Sequence, residues 1–206
     1  GRHALLLAEK GFMVTGVDRS EQMLDGARKA AATAGCSPSD FHLGDIRTFD
    51  LNQQFDVVIS LFHVVSYQCS NADLAAAFTT ARRHLKPGGL FIFDGWYGPA
   101  VLSEKPETRI KRLEDDTVEI TRMVEPVLRV NDNCVDLHYR ILVKNKKDCR
   151  VEEISEVHSM RYLFRPEVEL LLGQVGLTLI DATEWLGNRA PDMDSWGVCF
   201  VARHAD

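Results

Sequence analysis

The 206-residue sequence predicts an α/β fold: a doubly wound, mostly parallel sheet with an inserted antiparallel β-sheet. Two observations carry that expectation. Residues 1–106 alternate helix-period and strand-period segments, whereas residues 107–164 alternate apolar and polar residues between polar turns. Residues 165–206 then return to a helix and two strands. The expected organisation is a core of residues 1–106 and 165–206, with residues 107–164 as a cover over a site or a contact in a homodimer.

Ala4 to Lys10 reads as a short helix ended by Gly11, and Phe12 to Val17 as a strand. Ser20 caps the next helix, where Met23, Leu24, Ala27, Ala30 and Ala31 share one face and Glu21 complements the positive end of the helix dipole. Phe41 to Leu43 is a short strand. The run FDVVISLF, Phe55 to Phe62, is almost wholly apolar, as in a strand covered on both faces. Leu74, Ala77, Phe78, Ala81 and Leu85 stripe a helix stopped by KPGG, and LFIFDGW forms the next strand.

After Pro99 the turns LEDDT, RVNDN and KNKKD separate strands, and Val135, Leu137, Tyr139, Ile141 and Val143 mark one buried face. Pro166 opens a helix with Val168, Leu171, Leu172 and Val175 inward, since proline is tolerated in a first turn. Strands near Leu177–Trp185 and Trp196–Arg203 finish the chain.

The net charge of −6 argues against a nucleic-acid partner, and the basic stretch Arg109, Lys111 and Arg112 reads as solvated surface. The five cysteines (Cys36, Cys69, Cys134, Cys149, Cys199) lack any Cys-x-x-Cys spacing and read as reduced thiols of a cytoplasmic protein. No apolar run reaches the roughly 18 to 20 residues a membrane span needs. The histidines show no ligand spacing, so no metal is expected.

Four presumed strands end in polar or aromatic groups: Asp18, Asp45, the segment SLFHVVSY and the segment DGWYG. In a parallel sheet these tips meet along one edge, where ligands of such sheets bind. With GVDRSEQML, GDIRTFDL, FDVVISLFHVVSY and HLKPGGLFIFD, the chain resembles the class I S-adenosylmethionine-dependent methyltransferases, whose core is Rossmann-like. The order DGWYGPA, inserted sheet, HSMRYLF and WGVCFVA is most similar to the N-methyltransferases of nucleotide-linked amino sugars. Those enzymes carry an arginine near the final strand, where this chain has Trp196.

The resemblance implies a cofactor, S-adenosyl-L-methionine, and a small-molecule methyl acceptor. It implies that Asp18 takes the ribose hydroxyls, Asp45 the adenine amino group and the Ile46 amide a ring nitrogen. Arg19 or Met23 would pack the adenine face, although helical spacing alone puts Met23 in the core. Gly1 would match the last glycine of the family's glycine-rich loop, with that loop and its strand expected upstream. Leu61 and Phe62 would line the methionine end. On the acceptor side, Tyr67, His158 and Asp94 are the candidate catalytic groups, and His63, Trp96, Tyr97, His138 and Arg161 the candidate binding groups, with Arg161 meeting a phosphate.

Asp18 would equally serve a dinucleotide in an NAD-dependent oxidoreductase. The GDI loop and the lack of an evident hydride-transfer partner favour the methyl donor. The segment after Phe62 lacks the Pro-Pro aromatic tetrapeptide with which DNA amino-methyltransferases stack an extruded base. A non-catalytic S-adenosylmethionine-binding protein of the same fold is the alternative from another class, because fold does not determine turnover.

Overall fold

The computed structural model describes residues 1–33 and 40–205; Cys36 lies outside the described residues. Helix α1 (Arg2–Glu9) begins at Gly1, whose backbone comes so close to helix α2 (Glu21–Thr33) that a Cβ there would lie 2.6 Å from the Ala27 Cβ. Only glycine permits that approach. The strand expected from Phe12 pairs over Gly16–Asp18 alone (β1), because Phe12 and Met13 stand in solvent with no neighbour to bury them. Strand β1 runs parallel to β2 (Phe41–Leu43), and α2 packs on both.

Strand β4 (Leu85–Tyr97) organises the larger sheet. Its first part, through Phe93, pairs in parallel with β3 (Phe55–Ser60), and its last two residues pair in parallel with β8 (Val151–Leu163). Its other edge carries β10 (Gly197–His204), which pairs in turn with β9 (Leu177–Glu184), both antiparallel. KPGG therefore does not simply stop a helix; it lies within β4 as an irregularity. Leu85 pairs with Phe55, and the ladder resumes at Val57 opposite Leu90. The preceding helix α3 (Asn71–Arg83) is capped by Ser70, which accepts from the Asp73 amide at 3.0 Å.

The inserted segment forms β5 (Arg109–Glu114), β6 (Val118–Arg129), β7 (Cys134–Asn145) and then β8, each antiparallel to the next. Its turns follow their residue types. Asp115 accepts from the Thr117 and Val118 amides, and Asn133 adopts the left-handed conformation before β7. Through β8 this antiparallel sheet continues directly into the core sheet. A short helix, α4 (Gly98–Glu104), not evident from the sequence, links β4 to β5; Pro99 sits in its first turn and Ala100 and Val101 are buried.

The main core lies where α3 and helix α5 (Arg165–Gln174) cover one face of β4, β10 and β9. Phe93 is its centre: its ring centroid lies 4.7 Å from Phe91, 5.2 Å from Phe78 and 5.2 Å from Phe200. Strand β3 departs from the expected burial on both faces. It bonds to β4 alone among the described residues, and Val57 and Ile59 are 45% and 40% exposed. No helix among the described residues is long and apolar enough to cross a membrane.

These positions differ in predictable cost. Phe93→Ala should destabilise the protein by about 3–5 kcal/mol in denaturant unfolding, whereas Val57→Thr should change stability by no more than about 0.5 kcal/mol.

Candidate functional site

The carboxyl ends of β1 and β2 lie side by side, since the Gly44 amide donates to the Asp18 carbonyl at 3.0 Å. This brings Asp18 and Asp45 together, as a parallel pair with two acidic tips must. Asp18 Oδ1 accepts from the Ser20 amide at 2.9 Å, which orients the carboxylate and leaves Oδ2 for a ligand. Asp45 is more committed. Arg47 grips it through Nε (2.9 Å) and a terminal nitrogen (2.6 Å), the Arg47 amide adds a third bond, and Arg47 also reaches Asp73 at 2.8 Å. These bonds, led by the Arg47 guanidinium, lower the Asp45 pKa from 3.8 to about 2.

Ile46 follows at this tip, half-buried. Arg19 lies near enough for its charge to favour ionised Asp45. Met23 does not join the core of α2: it sits in the first turn, where the strand tip opens to solvent, and is 59% exposed.

Beyond β3 the chain passes through Leu61 into two consecutive left-handed residues, Phe62 (φ 64°) and His63 (φ 60°). Such backbone is costly for non-glycine residues and persists only where surroundings enforce it. Asp94 on β4 does so. Its fully buried carboxylate accepts from the His63 amide through both oxygens (3.1 and 3.2 Å), and the His63 ring Nδ1 lies 3.1 Å away. Phe62 is turned outward, its ring 5.0 Å from His3 of α1 and 6.3 Å from Trp185.

A one-turn 3-10 helix (Val65–Tyr67) then carries Tyr67 to the inserted sheet. The Tyr67 hydroxyl lies 3.0 Å from His158 Nδ1, and His158 Nε2 lies 3.1 Å from Glu156 Oε2. An ionised Glu156 accepts only, so the neutral ring carries its proton on Nε2 and presents the Nδ1 lone pair to the tyrosine. Partial burial raises the Tyr67 pKa, keeping the hydroxyl protonated. The Tyr139 ring packs edge-on against His158 at 5.2 Å. Beside them a cleft of about 440 Å³ is walled by Trp96, Trp196, Leu137 and Tyr139.

Four expected roles need correction. His138 pairs with Val157, one step out of phase with His158, so the pleat puts it on the opposite face of the sheet. Arg161 is 3% exposed and is held by Glu167, Asn71 and the Cys69 carbonyl, leaving it engaged within the protein and turned away from the cleft. Tyr97 packs on the main core, on the side of β4 opposite Trp96. Asp94 is sealed beneath His63, which makes it a positioning residue. Glu156, Tyr139 and Trp185 were not evident from the sequence. The i, i+2 spacing of Glu156 and His158 on one strand was the available signal.

The Asp45–Arg47 pair has a pH signature. Its folded pKa is depressed, so its contribution is complete above about pH 4 and fades as the pH falls toward 2. Both side chains are at least a third exposed, and screening limits the gain to about 1 kcal/mol or less. Asp45→Asn should therefore cost up to that amount at pH 7 by urea unfolding, and the difference from the parent should shrink below pH 4.

A family profile described as a methyltransferase domain matches residues 1–89. A Bacillus subtilis protein classed as a methyltransferase is 36% identical over 204 residues, covering 98% of this chain and 80% of its own length. The dTDP-3-amino-3,4,6-trideoxy-alpha-D-glucopyranose N,N-dimethyltransferase of Streptomyces venezuelae is 29% identical over 163 residues, 79% of this chain. The match spans 65% of that relative's length. Among solved structures, an S-adenosylmethionine-dependent methyltransferase from Clostridium acetobutylicum superposes with a TM-score of 0.78 at 22% identity, covering 92% of this chain and 74% of its own. The chain belongs to the methyltransferases.

Proposed function

We propose that the protein transfers a methyl group from S-adenosylmethionine to an amino group of a small molecule, with a nucleotide-linked amino sugar as the acceptor class. The observation that carries this reading is the Tyr67–His158–Glu156 chain beside an aromatic-walled cleft, joined to it by Tyr139, which lines the cleft and packs on His158. The relative from Streptomyces venezuelae, an amino-sugar N,N-dimethyltransferase, supports the acceptor class.

The residues present fit the donor. Asp18 keeps one carboxylate oxygen free for the ribose hydroxyls, Met23 and Ile46 offer apolar surface for a flat base, and Arg47 must share Asp45 with an adenine amino group. Gly1, at the start of α1, suits close approach of a carboxylate. When bound, S-adenosylmethionine supplies a sulfonium-activated methyl group for in-line displacement.

The chain's own task is to hold the acceptor nitrogen in line and to remove its proton. Positioning alone is worth roughly 7–11 kcal/mol of a barrier. An ammonium acceptor has no lone pair to attack with. Tyr67 Oη can take its proton while passing the phenolic proton to His158 Nδ1, and Glu156 then faces an imidazolium through Nε2–H. Charge is conserved: the positive charge moves from amine to His158, where Glu156 stabilises it. Trp96 and Trp196, packed edge-to-face at 5.6 Å, form a rigid wall for a sugar ring.

Release of S-adenosylhomocysteine against a panel of amino acceptors tests the proposal. His158→Ala should lower kcat about 100-fold, within the range for a lost general base, while the Kd for S-adenosylmethionine stays within about twofold of the parent. Donor binding without turnover of any acceptor would favour a non-catalytic binding protein.

A further inference from the structure

We propose that Arg109, Lys111 and Arg122, on the cleft face of the inserted sheet, bind the phosphates of a nucleotide-bearing acceptor. This rests on the methyltransferase reading above and names how that acceptor is recognised. Strand register puts the three cations together. Lys111 stands directly opposite Arg122, Arg109 stands opposite Val124, and Val124 stands opposite Tyr139. All three therefore share the face that carries Leu137, Tyr139, Glu156 and His158.

The arrangement is unfavourable for the empty sheet. Lys111 and Arg122 are like charges directly opposite on neighbouring strands, and such pairs repel. Nor are they neutralised locally. Glu114 and Glu119, on the opposite face, pair with Lys146 and Lys144, and among the described residues no carboxylate forms an ion pair with any of the three. Glu104 and Glu107 rim the same cleft without pairing them, so an excess of positive charge remains, in a chain whose net charge is −6. An anion of two or more charges removes the repulsion.

The cations also sit at a useful distance from the chemistry. The Arg122 guanidinium lies over the Tyr139 ring at 5.6 Å, and the same ring packs on His158. One aromatic side chain thus links the positive end of the cleft to its proton-accepting end. Strands β6 and β8 are two strand spacings apart, roughly 10 Å. A ligand bound by phosphates at one end would present a more distant group to Tyr67 at the other. Arginine suits the task because its planar fork matches phosphate oxygens. Arg161, expected from the sequence to meet a phosphate, is buried and ion-paired elsewhere; these three residues replace it.

The experiment is calorimetric titration of the whole protein, saturated with S-adenosylhomocysteine, using thymidine diphosphate, pyrophosphate and thymidine as probes. The expected result is that thymidine diphosphate binds, pyrophosphate competes, and thymidine binds at least tenfold more weakly. Arg109→Gln, Lys111→Gln and Arg122→Gln should each weaken thymidine diphosphate by about fivefold to tenfold, as the loss of a charge-assisted hydrogen bond should. S-adenosylhomocysteine affinity should stay at the parent value, which also shows that the variants fold. No binding of thymidine diphosphate by the parent, equal binding of thymidine, or unchanged affinity in all three variants overturns the phosphate site. Failure of the parent to bind S-adenosylhomocysteine would instead overturn the methyltransferase reading.

Discussion

The bond from the His63 amide to the buried Asp94 carboxylate is the constraint on which the site depends. Two left-handed residues in succession are not held by local sequence alone, for bulky Phe62 disfavours that backbone even though histidine tolerates it better than most. Asp94 supplies the restraint from β4, the strand that also pairs with β3, β10 and β8. One carboxylate therefore fixes the tip of β3 relative to the strand that joins the core sheet to the inserted sheet. Burying it unpaired would be costly, and the His63 amide answers both of its oxygens. Trp96, two residues on, lines the cleft from the same strand.

The inserted sheet contributes by simple alternation. Its pleat puts Leu137, Tyr139, Glu156 and His158 on the face that carries the cleft and His138, Asp136 and Arg161 on the other. The outer set has its own structural work. Ser159 bonds Asp136 at 2.6 Å, Arg129 joins Asp136 to Asp132, and burial pushes the Cys134 thiol up to about 12, where it stays protonated. A one-residue slip in register would exchange the two sets and dismantle the cleft.

Much of this was legible in the sequence. Periodicity located α2, α3 and α5, turn residues located the hairpins of the inserted sheet, and two acidic strand ends pointed to a shared edge. What was not legible depends on partners distant in sequence. The burial of Asp94, the commitment of Asp45 to Arg47 and the capture of Arg161 by Glu167 are properties of pairs. His138 and His158 look alike as isolated histidines, and only the β7–β8 register separates them. Phe12 has a strand-forming side chain, but no strand among the described residues buries it, so local preference loses to context.

Asp94 is the residue to vary, because its sealed carboxylate sets the backbone geometry of the open site above it. S-adenosylmethionine affinity is measured by calorimetry for Asp94→Ala and Asp94→Asn, with circular dichroism confirming that both remain folded. Alanine, which leaves the His63 amide without its acceptor, should lose about tenfold or more, and asparagine, which retains one oxygen, should lose less. Parent-like donor affinity in a folded Asp94→Ala protein would contradict that role for Asp94.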